Sequence, residues 1–237
     1  MSTSILARAE LEGRTGGIWD YVSASRLNLW LKCPLAFRLR YVDGIWTPPS
    51  PSQFVGRTVH RGLEIYYRHR QQNVRLLAAE ITERLLAQWE EAVACEGVQF
   101  PTSAEESAAR QQSLDLVRVY LAQLPAGEPR PLAIETTLKA PLLDSVSGQS
   151  LGIPLVRVID LVLPGADGAI ITDFKTTARG GELLEISHEL QLSCYSYLHR
   201  QTSPLPEEAL EIRSLVKTKI PRVESHRYGA RSAAHYL

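Results

Sequence analysis

The sequence predicts an α/β domain, and three observations carry that reading. Residues 158–177 read Val158-Ile-Asp-Leu-Val-Leu-Pro-Gly-Ala-Asp-Gly-Ala-Ile-Ile-Thr-Asp-Phe-Lys-Thr-Thr177, two apolar runs joined by a Pro/Gly/Asp turn, which is the pattern of a β-hairpin. Two further runs, Leu132–Ala140 and Leu210–Val216, have strand character. Helical periodicity fills 73–95, 104–124 and 184–201. The 237 residues suffice for one large domain or a domain with a helical insertion, and 44% hydrophobic content supports a core.

Taken in order, residues 1–20 are polar and are read as a loose N-terminus, leaving one domain over 21–237 with a helical insertion at about 73–124. Ser23 or Ser25 caps a short helix, Pro34 interrupts or restarts it, and Phe37 to Tyr41 form a second turn. Arg38, Arg40 and Tyr41 fit either a nucleic-acid contact or a rim of long side chains around a core edge. A Pro-rich connector, Trp46 to Ser52, leads into a helix over Gly56–Tyr67, with Val59, Leu63 and Tyr66 or Tyr67 inward. His60 and Glu64 share one side of that helix, and Gly56 and Gly62 are small enough for close packing on the sheet. Asn73–Cys95 is read as one amphipathic helix with Leu76, Leu77, Ile81, Leu85, Leu86 and Trp89 on its stripe. Ala104–Leu124 is a second helix, with Leu114, Val117 and Leu121 inward. Glu135, inside the first strand, is either a third acid at a site or an edge residue. On Leu184–Gln201, His188, Gln191, Tyr195 and His199 fall on one side. Beyond Val216 the chain runs basic, with no further packed element expected.

The hairpin carries the chemistry. With a turn at Gly165–Gly168, Pro164 faces Ala169 and Asp160 faces Asp173, their Cβ atoms about 5 Å apart. Lys175 then projects on the same side as Asp173. Paired carboxylates repel, and a hard divalent cation such as Mg²⁺ relieves the repulsion while activating water and offsetting phosphate charge. A lysine beside it positions that water or stabilises developing negative charge. The plain alternative is a solvent-facing hairpin with ordinary surface acids.

Formal net charge is zero, so overall charge does not point to nucleic acid. Locally, Arg213, Lys217, Lys219, Arg222, Arg227 and Arg231 stand against Glu224 alone, which fits a phosphate-tracking strip or a solvated tail. Cys33, Cys95 and Cys194 are widely spaced, so neither a zinc site nor a disulfide framework is expected. No signal peptide or membrane-length apolar run is present, and a soluble, cytoplasmic protein is expected.

The ordered set Gly56-x-x-x-His60-x-x-x-Glu64, Ile159-Asp160, Asp173-Phe-Lys175 and Gln191-x-x-x-Tyr195 resembles the RecB-type branch of the PD-(D/E)XK nuclease superfamily. Ser23-x-Ser25-x-Leu27 with Cys33-Pro34 and Tyr41 is similar to the start of those domains. The resemblance implies a restriction-endonuclease-like fold, a central mixed sheet flanked by helices. It implies His60, Asp160, Asp173 and the Phe174 carbonyl as holders of Mg²⁺ or Mn²⁺, Lys175 orienting the attacking water, and Gln191 and Tyr195 supporting the lysine and the DNA strand. The activity implied is a DNA nuclease, an exonuclease or end-processing enzyme acting on single strands or duplex ends in repair, recombination or defence, with a helicase or repair protein as partner. The alternative is a catalytically inactive DNA-binding or subunit-docking module on the same fold. Two departures stand out. Arg157 occupies a neighbourhood where many relatives carry glycine, and Cys33 has no later cysteine cluster to join, so no iron–sulfur cluster is expected.

Overall fold

A computed structural model describes residues 17–178, 180 and 186–232. Most of the expected loose N-terminus, Gly181 and the expected helix start at Leu184 lie outside the described residues.

The chain enters through α1 (Ala24–Lys32), which starts where the Ser23 hydroxyl accepts the Arg26 N–H at 3.3 Å. Cys33 ends this helix, and its Sγ accepts the Ala36 N–H to open α2 (Pro34–Phe37). A π-helical turn, Arg38–Val42, follows directly. The long helix α3 (Pro51–Gln71) begins five residues before the expected start at Gly56. Ser50 and Gln53 form a reciprocal capping box, and Pro51 occupies a first-turn position where no N–H is needed. The proline therefore helps the helix to begin.

The single helix expected over 73–95 is two, α4 (Ala78–Ala87) and α5 (Trp89–Glu96). Asn73 has φ of 64°, a left-handed conformation that takes the chain out of helical geometry after α3. The buried face is accordingly Ile81, Leu85 and Trp89, while Leu77 and Leu86 are exposed. The break at Gln88 accompanies insertion of Trp89 against Phe54, with ring centroids 5.0 Å apart. Helix α6 (Ser103–Gln123), capped by Thr102, matches its expected span closely.

Five strands form one mixed sheet in sequence order: β1 (Ala133–Leu143), β2 (Ser150–Pro164), β3 (Ala169–Thr177), β4 (Glu207–Val216) and β5 (Arg222–Gly229). All neighbours are antiparallel except β3 and β4, which are parallel and joined through α7 (Ile186–Thr202). The expected central mixed sheet flanked by helices is present. Helices α3–α6 pack on one face against Ile134, Leu161, Leu163, Phe174 and Leu215. On the other face α7 lays Leu192 and Tyr195 on Ile159, Ile171, Leu210 and Ile212.

Strand β5 was not expected. It is an edge strand with mostly exposed or half-buried residues, so its sequence lacks the apolar alternation that betrays a strand. Its arginines are spoken for by acids, Arg222 pairing with Glu224 and Arg227 with Glu208, and just beyond it Arg231 pairs with Glu189. Arg213 is tied internally to Glu128 and Glu211. Four of the six basic residues of this segment are thus paired with acids, and strand β5 makes it more than a solvated tail.

The two helical glycines serve different contacts. A Cβ at Gly56 would lie 2.7 Å from Thr176 Oγ1, so Gly56 brings α3 close to the sheet as expected. A Cβ at Gly62 would meet Val117 Cγ2 at 2.8 Å and Leu85 Cδ1 at 3.1 Å, so Gly62 packs against other helices instead. Alanine at 62 gains about 1 kcal/mol of helix propensity. Overpacking a buried contact costs about 1–3 kcal/mol. Gly62→Ala is therefore expected to lower the urea midpoint of unfolding. A raised midpoint would show that the helical layer yields at this contact.

Candidate active site

The expected hairpin register is present. Gly165 N–H bonds Gly168 O at 2.7 Å, Pro164 pairs with Ala169, and the ladder continues to Leu161 opposite Thr172. There it stops, one pair short of Asp160 and Asp173. The Asp160 carboxylate Oδ2 instead accepts the Phe174 N–H at 2.8 Å. Ile159 faces α7 while Leu161 packs toward α3, so the strict alternation of β2 is interrupted at Asp160. Asp160 lies toward α3, with His60 Nδ1 3.7 Å from Oδ2. Asp173 and Lys175 lie toward α7.

Two linked groups result. In the first, ligand atoms of His60, Glu135 and Asp160 all lie within 4.8 Å of one another, a geometry able to hold a metal ion. Glu135 comes from β1, between the pairs Ile134–Leu161 and Thr136–Ile159, which places it across the ladder from Asp160. Its φ of 43° is left-handed, a strained conformation for a glutamate. Burial pushes its carboxyl up to about 9, and the nearby charges of Asp160 and Glu64 add to that rise. Burial likewise raises Asp160, with His60 pulling it down and Asp173 pushing it up. The buried Nδ1 of His60 makes no hydrogen bond. An unsatisfied imidazole nitrogen between desolvated carboxyl groups fits a divalent cation bound by nitrogen and oxygen donors.

In the second group, Asp173 Oδ1 accepts from Gln191 Nε2 at 2.5 Å and from the Tyr195 hydroxyl at 2.8 Å. Lys175 Nζ stands 2.7 Å from Asp173 Oδ2 and donates to Gln191 Oε1 at 2.9 Å. Lys175 is thus the close countercharge of Asp173 Oδ2. Burial alone would raise Asp173, but Lys175 and Arg157, with the Tyr195 hydrogen bond, hold it below the usual carboxylate range. Buried Asp160 and Asp173 are thus pushed in opposite directions, an arrangement common at functional sites.

Four of the sequence-derived candidates, Asp173, Lys175, Gln191 and Tyr195, share one hydrogen-bonded cluster. His60 and Asp160 share the other. Phe174 contributes its N–H to Asp160 and its ring to the core, stacked on Tyr67 at 6.0 Å and edge-on to Tyr120 at 5.5 Å. Glu64 is engaged elsewhere, taken up by Arg61 and Arg68 at 2.8 Å each. His199 points its Nε2 at Leu205 O, 2.9 Å away, so it is a structural residue of α7. Arg157 donates from Nε to the Tyr195 hydroxyl at 3.3 Å and lies over the tyrosine ring. It serves as an internal countercharge beside Asp173. The sequence alone admits Glu135 either as a site acid or as an edge residue, and its isolation as an acid in an apolar strand is the signal for the first.

The model of the PD-(D/E)XK nuclease superfamily matches residues 21–233. The chain belongs to this superfamily. The crystal structure of a protein titled "Putative exonuclease" from Eubacterium rectale aligns over 99% of this chain and 79% of its own, with TM-score 0.62 and 14% identity, which shows a common fold. A crystal structure titled SSO0001 aligns over 96% of this chain and 79% of its own, at 13% identity and TM-score 0.36. A search of curated proteins finds no relative. No described helix is long and apolar enough to cross a membrane.

The raised Glu135 carboxyl has a measurable consequence. In the folded, metal-free protein it holds its proton up to about pH 9, whereas its ordinary value is 4.5. The folded state therefore binds more protons than the unfolded state between those limits, and stability falls as pH rises through that window. Raised Asp160 acts in the same sense. Glu135→Gln is expected to flatten the fall in Tm between pH 5.5 and 9 in metal-free protein, about those pH limits. An unchanged slope would place the titration elsewhere.

Proposed function

We propose that this protein is a Mg²⁺- or Mn²⁺-dependent deoxyribonuclease of the RecB type. The observation that carries the reading is the meeting of His60, Glu135 and Asp160 beside the Asp173–Lys175 pair. His60, Glu135 and Asp160 would hold the ion, with Asp173 and the Phe174 carbonyl as further ligands. Bound there, the ion would supply Lewis acidity and lower the pKa of a coordinated water. One imidazole among carboxylates favours Mn²⁺ somewhat over Mg²⁺.

The chain's own residues do the rest. Lys175, half-exposed at the cluster edge, places its ammonium where a water and a phosphate oxygen would meet, and stabilises charge developing on that oxygen. Gln191 and Tyr195 fix Asp173 by hydrogen bonds and hold Lys175 through the Gln191 carbonyl. Hydrolysis forms a bond from water oxygen to phosphorus and breaks the opposite bond to a sugar oxygen, which leaves with a proton. The motif order supports action on single strands or duplex ends, a role in repair, recombination or defence and a helicase or repair partner, and a cytoplasmic location forms part of the same proposal. The complete set of polar groups favours an enzyme over an inactive docking module.

Labelled single- and double-stranded DNA, incubated with and without Mn²⁺, tests the reading. Cleavage is expected only with the metal, and EDTA should abolish it. Asp173→Ala and Lys175→Ala should each reduce the rate at least about a hundredfold. Full activity in either variant would remove this assignment of roles.

A further inference from the structure

A cleft of about 360 Å³ opens beside His60, between the first turns of α3 and the ends of β3 and β4. Its walls carry Ser52, Arg57, His60, Thr176 and Lys217, with Gly56 on the side nearest the sheet. All the polar groups on these walls other than the Gln53 amide oxygen and the imidazole are donors or hydroxyls, and among the named walls there is no carboxylate.

Lys217 is the unusual member. Of the six cations between Arg213 and Arg231, four are matched by carboxylates: Arg213, Arg222, Arg227 and Arg231. Lys217 is matched by none among the described residues, and its ammonium donates only to Ser52 Oγ, at 2.7 Å. It is nevertheless half-buried, and burial lowers it from its ordinary value. A desolvated ammonium without a counterion costs free energy that a bound anion would recover. Arg57 lines the same cleft and is partly neutralised by Glu96 at 2.8 Å. The positive end of the 21-residue helix α3 adds to the field, with Ser52 in its first turn.

We propose that this cleft binds a flanking phosphate of the same nucleic-acid strand that is cleaved, with Lys217 as its principal positioning residue and Ser52, Thr176 and Arg57 as supporting donors. Ser52 precedes His60 by eight residues, about 12 Å along the helix axis. That separation spans about two internucleotide steps and suits a phosphate about two nucleotides from the scissile one on the same strand. The strand would then run along α3 from the cleft to the cluster of His60, Glu135 and Asp160, which fixes the register of the scissile bond. The proposal rests on the nuclease reading for its substrate, while the cleft makes its own prediction about binding.

The test uses the full chain and single-stranded oligonucleotides. Binding is read by fluorescence anisotropy in EDTA, and cleavage is read separately in Mn²⁺. Lys217→Gln is expected to weaken metal-free binding about tenfold and to raise KM by a similar factor, with a much smaller change in kcat. The salt dependence of binding should fall by about one released ion. Lys217→Arg should restore most of the loss. Oligonucleotides with one neutral methylphosphonate, scanned across the cleavage position, should show a single flanking site whose replacement weakens wild type but not Lys217→Gln. That probe alters the ligand, so it remains decisive if the protein variant folds poorly. Wild-type affinity in Lys217→Gln, or no methylphosphonate position coupled to it, would overturn the proposal while leaving metal-dependent cleavage intact. Lys217-dependent binding without cleavage by wild type would uphold the cleft and overturn the nuclease reading instead.

Discussion

The hydrogen bond from the Phe174 N–H to the Asp160 carboxylate is the interaction on which the rest of the site depends. It forms where the β2–β3 ladder ends, and it ties the two strands together by a side chain instead of a backbone carbonyl. Beyond it, Asp160 belongs to the α3 face and Asp173 to the α7 face. The same acid is thereby offered to His60 and Glu135 while remaining anchored to the strand that carries Asp173 and Lys175. A buried carboxylate is costly to desolvate, and a backbone N–H with a nearby imidazole offsets part of that cost.

Phe174 is held as firmly on its other side. Its ring stacks on Tyr67 and meets Tyr120 and His60 edge-on. Behind it the Tyr67 and Tyr120 hydroxyls join Glu128 and Arg213 in a buried network. Such a network is weak evidence for stability, because desolvating the charges offsets much of their attraction. Its geometric effect is clear, since it links α3, α6 and β4 around one aromatic ring. Burial also raises Tyr67 and Tyr120 well above their ordinary values, so both remain neutral donors.

The local signals in the sequence were strong where chemistry and periodicity coincided. The Gly165–Gly168 turn allowed the β2–β3 register to be counted outward from Pro164 and Ala169, and that count agrees with the ladder. The β1–β2 register could not be counted in the same way. Its hairpin contains a shift between Pro141 and Leu143, which separates the position of Glu135 from any simple count from the turn. Gln191 and Tyr195 were legible because a four-residue step puts both on one helix side, and they do meet Asp173 there. His199, one further step along, follows the same rule but meets Leu205 instead, because the sheet-facing side of α7 extends beyond the site. Strand β5 was illegible because an edge strand stabilised by backbone bonds and ion pairs needs little apolar alternation.

The α/β class, the hairpin turn, the order of the polar groups and the helical spacing that pairs Gln191 with Tyr195 are all legible along the chain. These are local matters, set by turn geometry and by residue periods along one element. Tertiary structure alone decided that Glu135 joins His60 and Asp160, that Arg157 supports Tyr195 internally, and that Lys217 stands without a carboxylate while Arg213, Arg222, Arg227 and Arg231 are paired. Those outcomes depend on where ladders end, where a strand bulges and which charges meet across elements distant in the chain. Such contacts are set by packing of the whole domain, and no window of neighbouring residues contains them.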